Sequence, residues 1–206
     1  MLINDLNNKK INLILLLRSL GITSLKVLSA IEQTPREEFL SNNQKKYAYE
    51  NSTLPIGFDK FILKPYLIAL MIEKLNLNCN NKVLEIGTGC GYLSVILSKL
   101  VRNVYTVESV YPLLVLAKNN FKKLKITNIF SKHVDGFLGW DHISPFDNLI
   151  INCYIDKFDT SLFKQIKDGG KCIFLFKKNG TQILKCITVE KKNSNNKIEE
   201  ICDINF

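Results

Sequence analysis

The chain has 206 residues, 46% hydrophobic and 23% charged, with 28 basic against 19 acidic side chains and a formal charge of +9. That length fits one domain with one sizeable core, and that hydrophobic share excludes a disordered chain. The longest apolar run near the start, Leu13 to Leu17, is far short of the roughly 20 residues of a membrane span, and residues 1–10 lack a signal-peptide pattern.

In chain order, Leu6, Leu13, Ile14, Leu17 and Leu20 fall near helical spacing, with Gly21 as a stop. Thr23 or Ser24 is placed to cap a second helix running to about Thr34. Pro35 then opens a short turn, with proline at a first helical position. Asn51 to Lys64 reads as irregular around Pro55 and Gly57, and Pro65 to Leu75 resumes helical periodicity. From Lys82 the pattern changes. Short apolar runs at 83–86, 104–107, 129–133, 146–152 and 171–176 are interspersed with helix-length segments at 91–100, 112–124 and 161–166. Such alternation predicts a parallel sheet with crossover helices. Two strand-like runs either side of Lys177 to Gly180 predict a closing hairpin, and 197–206 reads as one more strand or a tail.

Of the basic residues, 25 are Lys and 3 are Arg, and Ile, Lys and Asn together supply 71 of the 206 positions. That is a bias acting everywhere. A phosphate-reading surface would favour the planar fork of Arg, so no nucleic-acid partner is expected. Six cysteines stand at 79, 90, 153, 172, 186 and 202 with no C-x-x-C spacing, and His133 and His142 are not in a ligand pattern. No metal site is read, and free thiols imply a reducing, cytoplasmic location.

The chemistry centres on Glu85-Ile-Gly-Thr-Gly-Cys-Gly91, which follows a strand-like run and opens a helix. Glycines at 87, 89 and 91 let the backbone turn tightly and approach a ligand. Glu108 ends the next run, 19 residues after Gly89, where a carboxylate accepts both hydroxyls of a ribose. Asp135-Gly136 follows the third run, within reach of an adenine amino group. A dinucleotide turn would usually read G-x-G-x-x-G under a pyrophosphate. A carboxylate at 85 suits a cationic ligand instead, and S-adenosylmethionine carries both an amino group and a sulfonium.

With these residues in view, the chain resembles the protein-L-isoaspartate O-methyltransferase family, bacterial type. The resemblance runs from about Leu13 to at least Lys185. It is carried by Thr34-Pro-Arg-Glu-Glu-Phe39, Leu54-Pro-Ile-Gly57, Pro65-Tyr66 with Ala69-Leu-Met71, Val83 to Tyr92, Asp135-Gly136 with Gly139-Trp140, Pro145-Phe-Asp147 and Asp168-Gly-Gly170. The glycine motif belongs to many methyltransferases, whereas its combination with the first two stretches is specific. The resemblance implies a Rossmann-like α/β methyltransferase fold with a mostly parallel sheet, helices on both faces, extra N-terminal helices and a C-terminal antiparallel hairpin. It implies one domain over 1–206, with helices and substrate loop in 1–80 and a cofactor-binding core in 81–206. The implied activity is S-adenosylmethionine-dependent methylation of the free carboxylate of L-isoaspartyl and D-aspartyl residues in damaged proteins or peptides; separately, a monomer with no membrane partner is expected. Cofactor residues would be Glu85, Gly87, Thr88, Gly89, Gly91, Glu108, Asp135 and Gly136. The acceptor would lie under a loop holding Pro55, Ile56, Gly57, Ile62 and Pro65.

One departure bears on catalysis. The family's T-I-S-x-P reads Phe61-Ile62-Leu63-Lys64-Pro65 here, so Leu63 occupies the position of a serine that contacts the acceptor. A carboxylate is already an anion, so no general base is needed, and losing that contact costs about 10- to 150-fold. Lys64 and Asp59 read as solvated charges, Trp140 as packing, Cys90 as a small filler and His133 as a strand end. The alternative reading is a cofactor-binding relative whose activity is lost or redirected.

Overall fold

The computed structural model describes residues 3–178, 180–191 and 196–203. Two helices come first, α1 (Ile3–Ser19) and α2 (Leu25–Glu32), followed by a two-stranded ribbon of β1 (Leu54–Gly57) and β2 (Lys60–Ile62) and then α3 (Pro65–Leu75). The main unit follows as β3 (Lys82–Ile86), α4 (Tyr92–Ser98), β4 (Asn103–Glu108), α5 (Tyr111–Lys123), β5 (Ile129–His133), β6 (Phe146–Ile155), β7 (Ile166–Lys178), β8 (Thr181–Thr188) and β9 (Lys197–Asp203).

These last strands form one seven-stranded sheet in the order β5-β4-β3-β6-β7-β8-β9. It is parallel from β5 through β7, and β8 and β9 add antiparallel neighbours. The expected hairpin is β7–β8, closing at Lys178 and Thr181. The expected final strand forms as β9; residues 204–206 lie outside the described residues.

Side chains alternate along each strand. Val83, Val104, Ile150 and Ile173 face the helices, in a core shared with α1 to α4 and the Ala117–Phe121 stretch of α5. Leu84, Val107, Leu149 and Phe174 face the other way, where 3-10 turns at 136–138, 141–143 and 160–165 and packed aromatics cover the sheet. The helix-length segment read at 161–166 is one of these turns, too short for a regular helix.

Neither Thr23 nor Ser24 caps α2 with its side chain. Their backbone N–H groups instead donate to Glu73 Oε1 of α3, at 2.9 and 2.6 Å, tying the interhelical turn to the next helix. The stretch expected to be irregular contains the β1–β2 ribbon. Its two-residue turn, Phe58-Asp59, has φ of 54° and 53°, the backbone that two-residue hairpins require and that Asn-Gly would announce. Neither residue carries that signal. Beneath the ribbon lies Arg36, with 0% exposure. Its guanidinium donates to the carbonyls of Ala48, Glu50, Ser52 and Leu63 at 2.8–3.2 Å, and burial lowers its pKa. One buried cation thus pins the chain before β1 to the chain after β2.

Candidate active site

The carboxyl ends of β3 to β6 open onto a cleft of about 390 Å³. The sheet side contributes Ile86, Gly87 and Gly89 after β3, Val107, Glu108 and Ser109 at the end of β4, Asp135, Gly136 and Phe137 beyond β5, and Asn152, Cys153 and Tyr154 from β6. The ribbon closes the opposite side with Thr53, Ile56, Asp59, Lys60, Phe61 and Leu63.

The glycine turn has the expected character. Gly87 and Gly89 have φ of 92° and 55°, and a Cβ at Gly89 would stand 3.2 Å from Ile56 Cδ1 of the ribbon. At Gly136 a Cβ would come 2.3 Å from Ile86 Cγ2, so the chain beyond β5 passes against β3 only as glycine. Glu108 is buried. Its Oε2 accepts from Gly89 N–H at 2.8 Å and its Oε1 from Val110 N–H at 2.9 Å, which fixes the carboxylate while each oxygen keeps a second lone pair. Asp135 is exposed at the rim and accepts from Phe137 N–H at 3.0 Å.

Three residues expected at the cofactor instead support the turn from behind. Glu85 shares the helix-facing side of β3 with Val83, so Ile86 reaches the cleft and Glu85 does not. Its carboxylate is fully enclosed, receives the Ser94 hydroxyl and has Oε1 without a partner. Burial pushes its carboxyl up to about 8, so it is largely uncharged at neutral pH and makes a poor contact for an ammonium group. The Thr88 hydroxyl is buried 2.7 Å from that of Thr106. Gly91 precedes α4 with φ of 87°, where a Cβ would strike Phe121.

On the ribbon, Ile56 and Leu63 line the cleft. Ile62 is buried and borders a small adjoining hollow with Thr88 and Tyr92, and Pro65 is the buried first residue of α3. Pro55 and Gly57 turn outward, lining a separate hollow with Phe39 and Gln44.

Asn152 and Cys153 begin the stretch at the end of the 146–152 run, which the family resemblance places beside the acceptor, and both line the cleft. They form an irregularity in β6: Ile151 pairs with Phe174 and Tyr154 with Leu175, leaving two residues unmatched. Such bulges re-aim side chains beside active sites. Asn152 Nδ2 donates to Gly87 O at 3.1 Å, while its buried Oδ1 has no partner. Its place at the end of the 146–152 run was the available signal; the bulge has none. Burial raises the Cys153 thiol, so it is no ready nucleophile.

Asp59 lies at the cleft mouth rather than in open solvent alone. Trp140 packs edge-on to Tyr105 at 5.5 Å, away from the cleft, and burial pushes the Cys90 thiol up to about 12, so both are packing residues. His133 ends β5, with Nε2 3.0 Å from Ser109 O. Among the described residues, no group of three or more His, Cys, Asp or Glu is placed to hold a metal ion, and no helix is long and apolar enough to cross a membrane.

The sequence matches, over residues 7–206, a family model described as protein-L-isoaspartate(D-aspartate) O-methyltransferase. A protein-L-isoaspartate O-methyltransferase of Dictyoglomus turgidum is 40% identical over 198 residues, 96% of this chain and 89% of its own. One from Vibrio campbellii is 42% identical over 173 residues, 84% of this chain and 83% of its own. A solved protein-L-isoaspartate O-methyltransferase is similar with a TM-score of 0.85 and 26% identity, over 96% of this chain and 64% of that one, so this chain spans just under two thirds of its length. A Plasmodium falciparum structure of the same description, in complex with S-adenosyl-L-homocysteine, has a TM-score of 0.82 at 23% identity over 95% of both chains, a likeness of fold.

Proposed function

The chain belongs to the protein-L-isoaspartate(D-aspartate) O-methyltransferase family, and we propose that its cleft performs that reaction, methylating the stray carboxylate of isoaspartyl residues in damaged proteins. The single observation that carries the reading is one cleft with two unlike walls: fixed carboxylates at successive strand ends on one side, and on the other a ribbon presenting Ile56, Phe61 and Leu63 beside Thr53, Asp59 and Lys60.

The sheet-side residues fit the donor. S-adenosylmethionine, when bound, supplies an electrophilic methyl group on a sulfonium whose leaving group is a neutral thioether. Glu108 offers two oxygens to a pair of ribose hydroxyls, and Asp135, one strand further out, offers a carboxylate to the adenine amine. Asn152 Oδ1, buried and unpartnered, takes the ammonium contact first expected of Glu85. Gly87, Gly89 and Gly136 keep the backbone clear of side chains.

The acceptor is ionised at neutral pH, so no residue has to remove a proton. The residues hold two reactants in line and exclude water. Their opposite charges cancel as the methyl moves, so the apolar lining of Ile56, Phe61, Leu63 and Ile86 favours the less charged transition state. Kinship at 40% identity across nearly the whole chain does not favour a member that has lost turnover.

We take residues 1–206 to work as one domain, with the ribbon wall supplied before about residue 80 and the sheet wall after it. We further take the chain to act as a monomer. The scatter of lysines, with 25 Lys against 3 Arg, supports a role without nucleic acid, and six free cysteines support a reducing, cytoplasmic setting. Incubation with methyl-labelled S-adenosylmethionine and an isoaspartyl peptide should yield a base-labile methyl ester absent from a normal-aspartyl control. No ester above that control overturns the assignment.

A further inference from the structure

The ribbon wall contains a polar atom with nothing to bond. Thr53 lines the cleft, and its Oγ1 is buried without a hydrogen-bond partner. Such hydroxyls are uncommon in folded proteins and call for an explanation, a catalytic or binding role being one. The ribbon register shows where this one lies. Leu54 pairs with Ile62 and Pro55 with Phe61, so one step further sets Thr53 opposite Leu63. Arg36 Nη2 holds that juncture shut, donating to Ser52 O at 2.8 Å and Leu63 O at 3.2 Å. Directly opposed residues of a ladder share a face, with Cβ atoms about 4.5–5.5 Å apart.

Leu63 is buried and has no hydrogen to donate. Glu108 and Asp135, across the cleft, and Asp59, at the ribbon turn, repel an anion. Among the described residues lining the cleft, Lys60 is the cation. A hydroxyl rotates its hydrogen to suit an acceptor. Resting on the reading of the cleft as an isoaspartyl site, we propose that Thr53 donates its hydroxyl hydrogen to the acceptor carboxylate, from across the ladder at the position where Leu63 cannot, with Lys60 as the nearby countercharge. One carboxylate oxygen is then held and the other is free to face the methyl group.

The test measures isoaspartyl-peptide binding by calorimetry to protein saturated with S-adenosyl-L-homocysteine, together with KM for methyl transfer. Thr53→Val, which keeps the shape and removes the hydroxyl, should weaken peptide binding and raise KM by about 10- to 150-fold, with the affinity for S-adenosyl-L-homocysteine unchanged. Thr53→Ser should stay within about threefold of the parent. Thr53→Ala serves if the valine variant loses S-adenosyl-L-homocysteine binding and so has misfolded. Hydroxyl-free variants that bind peptide like the parent, or a serine variant as poor as valine, overturn the role of Thr53 while leaving the enzyme assignment intact. A parent that binds S-adenosyl-L-homocysteine yet neither binds nor methylates the peptide overturns the assignment, and this proposal with it.

Discussion

Glu85 shows how far a residue can sit from the role its motif suggests. The sequence places a carboxylate beside three glycines; the strand's alternation then turns it inward, onto Ser94. No pattern of residue types reports which side of a buried parallel strand carries an acid, because both sides are covered. A carboxyl raised from 4.5 to about 8 makes a signed contribution to stability. Between those values the folded chain keeps a proton that the unfolded chain releases, so the contribution is complete below about pH 4.5 and is lost as the pH rises toward 8. Glu85→Gln removes the titration. In urea titrations its stability relative to the parent should improve by about 1–3 kcal/mol between pH 5 and pH 8. Parallel pH profiles for the two proteins would show that Glu85 ionises as freely in the fold as outside it.

At the scale of elements, what was legible had a period. Helices α1 to α5 and strands β3 to β8 follow from apolar spacing and short connections, because burying one face imposes that spacing. The ribbon did not show, since its turn uses Phe58 and Asp59 in a left-handed conformation that glycine or asparagine normally signals. The β6 bulge did not show either, because two unmatched residues leave no trace in an apolar run. Arg36 was visible only as part of a family stretch, yet it joins these pieces. Four carbonyls accept from one guanidinium that has 0% exposure, and a lysine ammonium has neither the fork nor the reach to serve them all. Arg36→Lys should therefore lower unfolding stability by about 2–4 kcal/mol in denaturant titrations, because buried carbonyls are left unpaired. A loss below about 1 kcal/mol would mean that water satisfies them and that the ribbon is not held from beneath.

For the whole molecule, the fold and the meeting of Glu108 and Asp135 at one cleft were readable because a parallel sheet puts every strand end at one edge, and acids at successive ends therefore converge there. The ribbon wall was not, because it depends on which ribbon residues face inward, a matter of register. Net charge is a property of the whole molecule, and its even spread does not make it inert. An excess of +9 attracts anionic peptides over distances set by salt, with a screening length of about 30 Å at 10 mM and about 10 Å at 0.1 M. An isoaspartyl peptide flanked by acidic residues should thus be captured faster at low salt. Its kcat/KM should fall about fivefold or more between 10 mM and 0.3 M salt, while a peptide with the same isoaspartyl residue and lysine flanks changes little or gains. Equal salt dependence for the two peptides would confine substrate selection to contacts inside the cleft and leave the lysine surplus without a part in it.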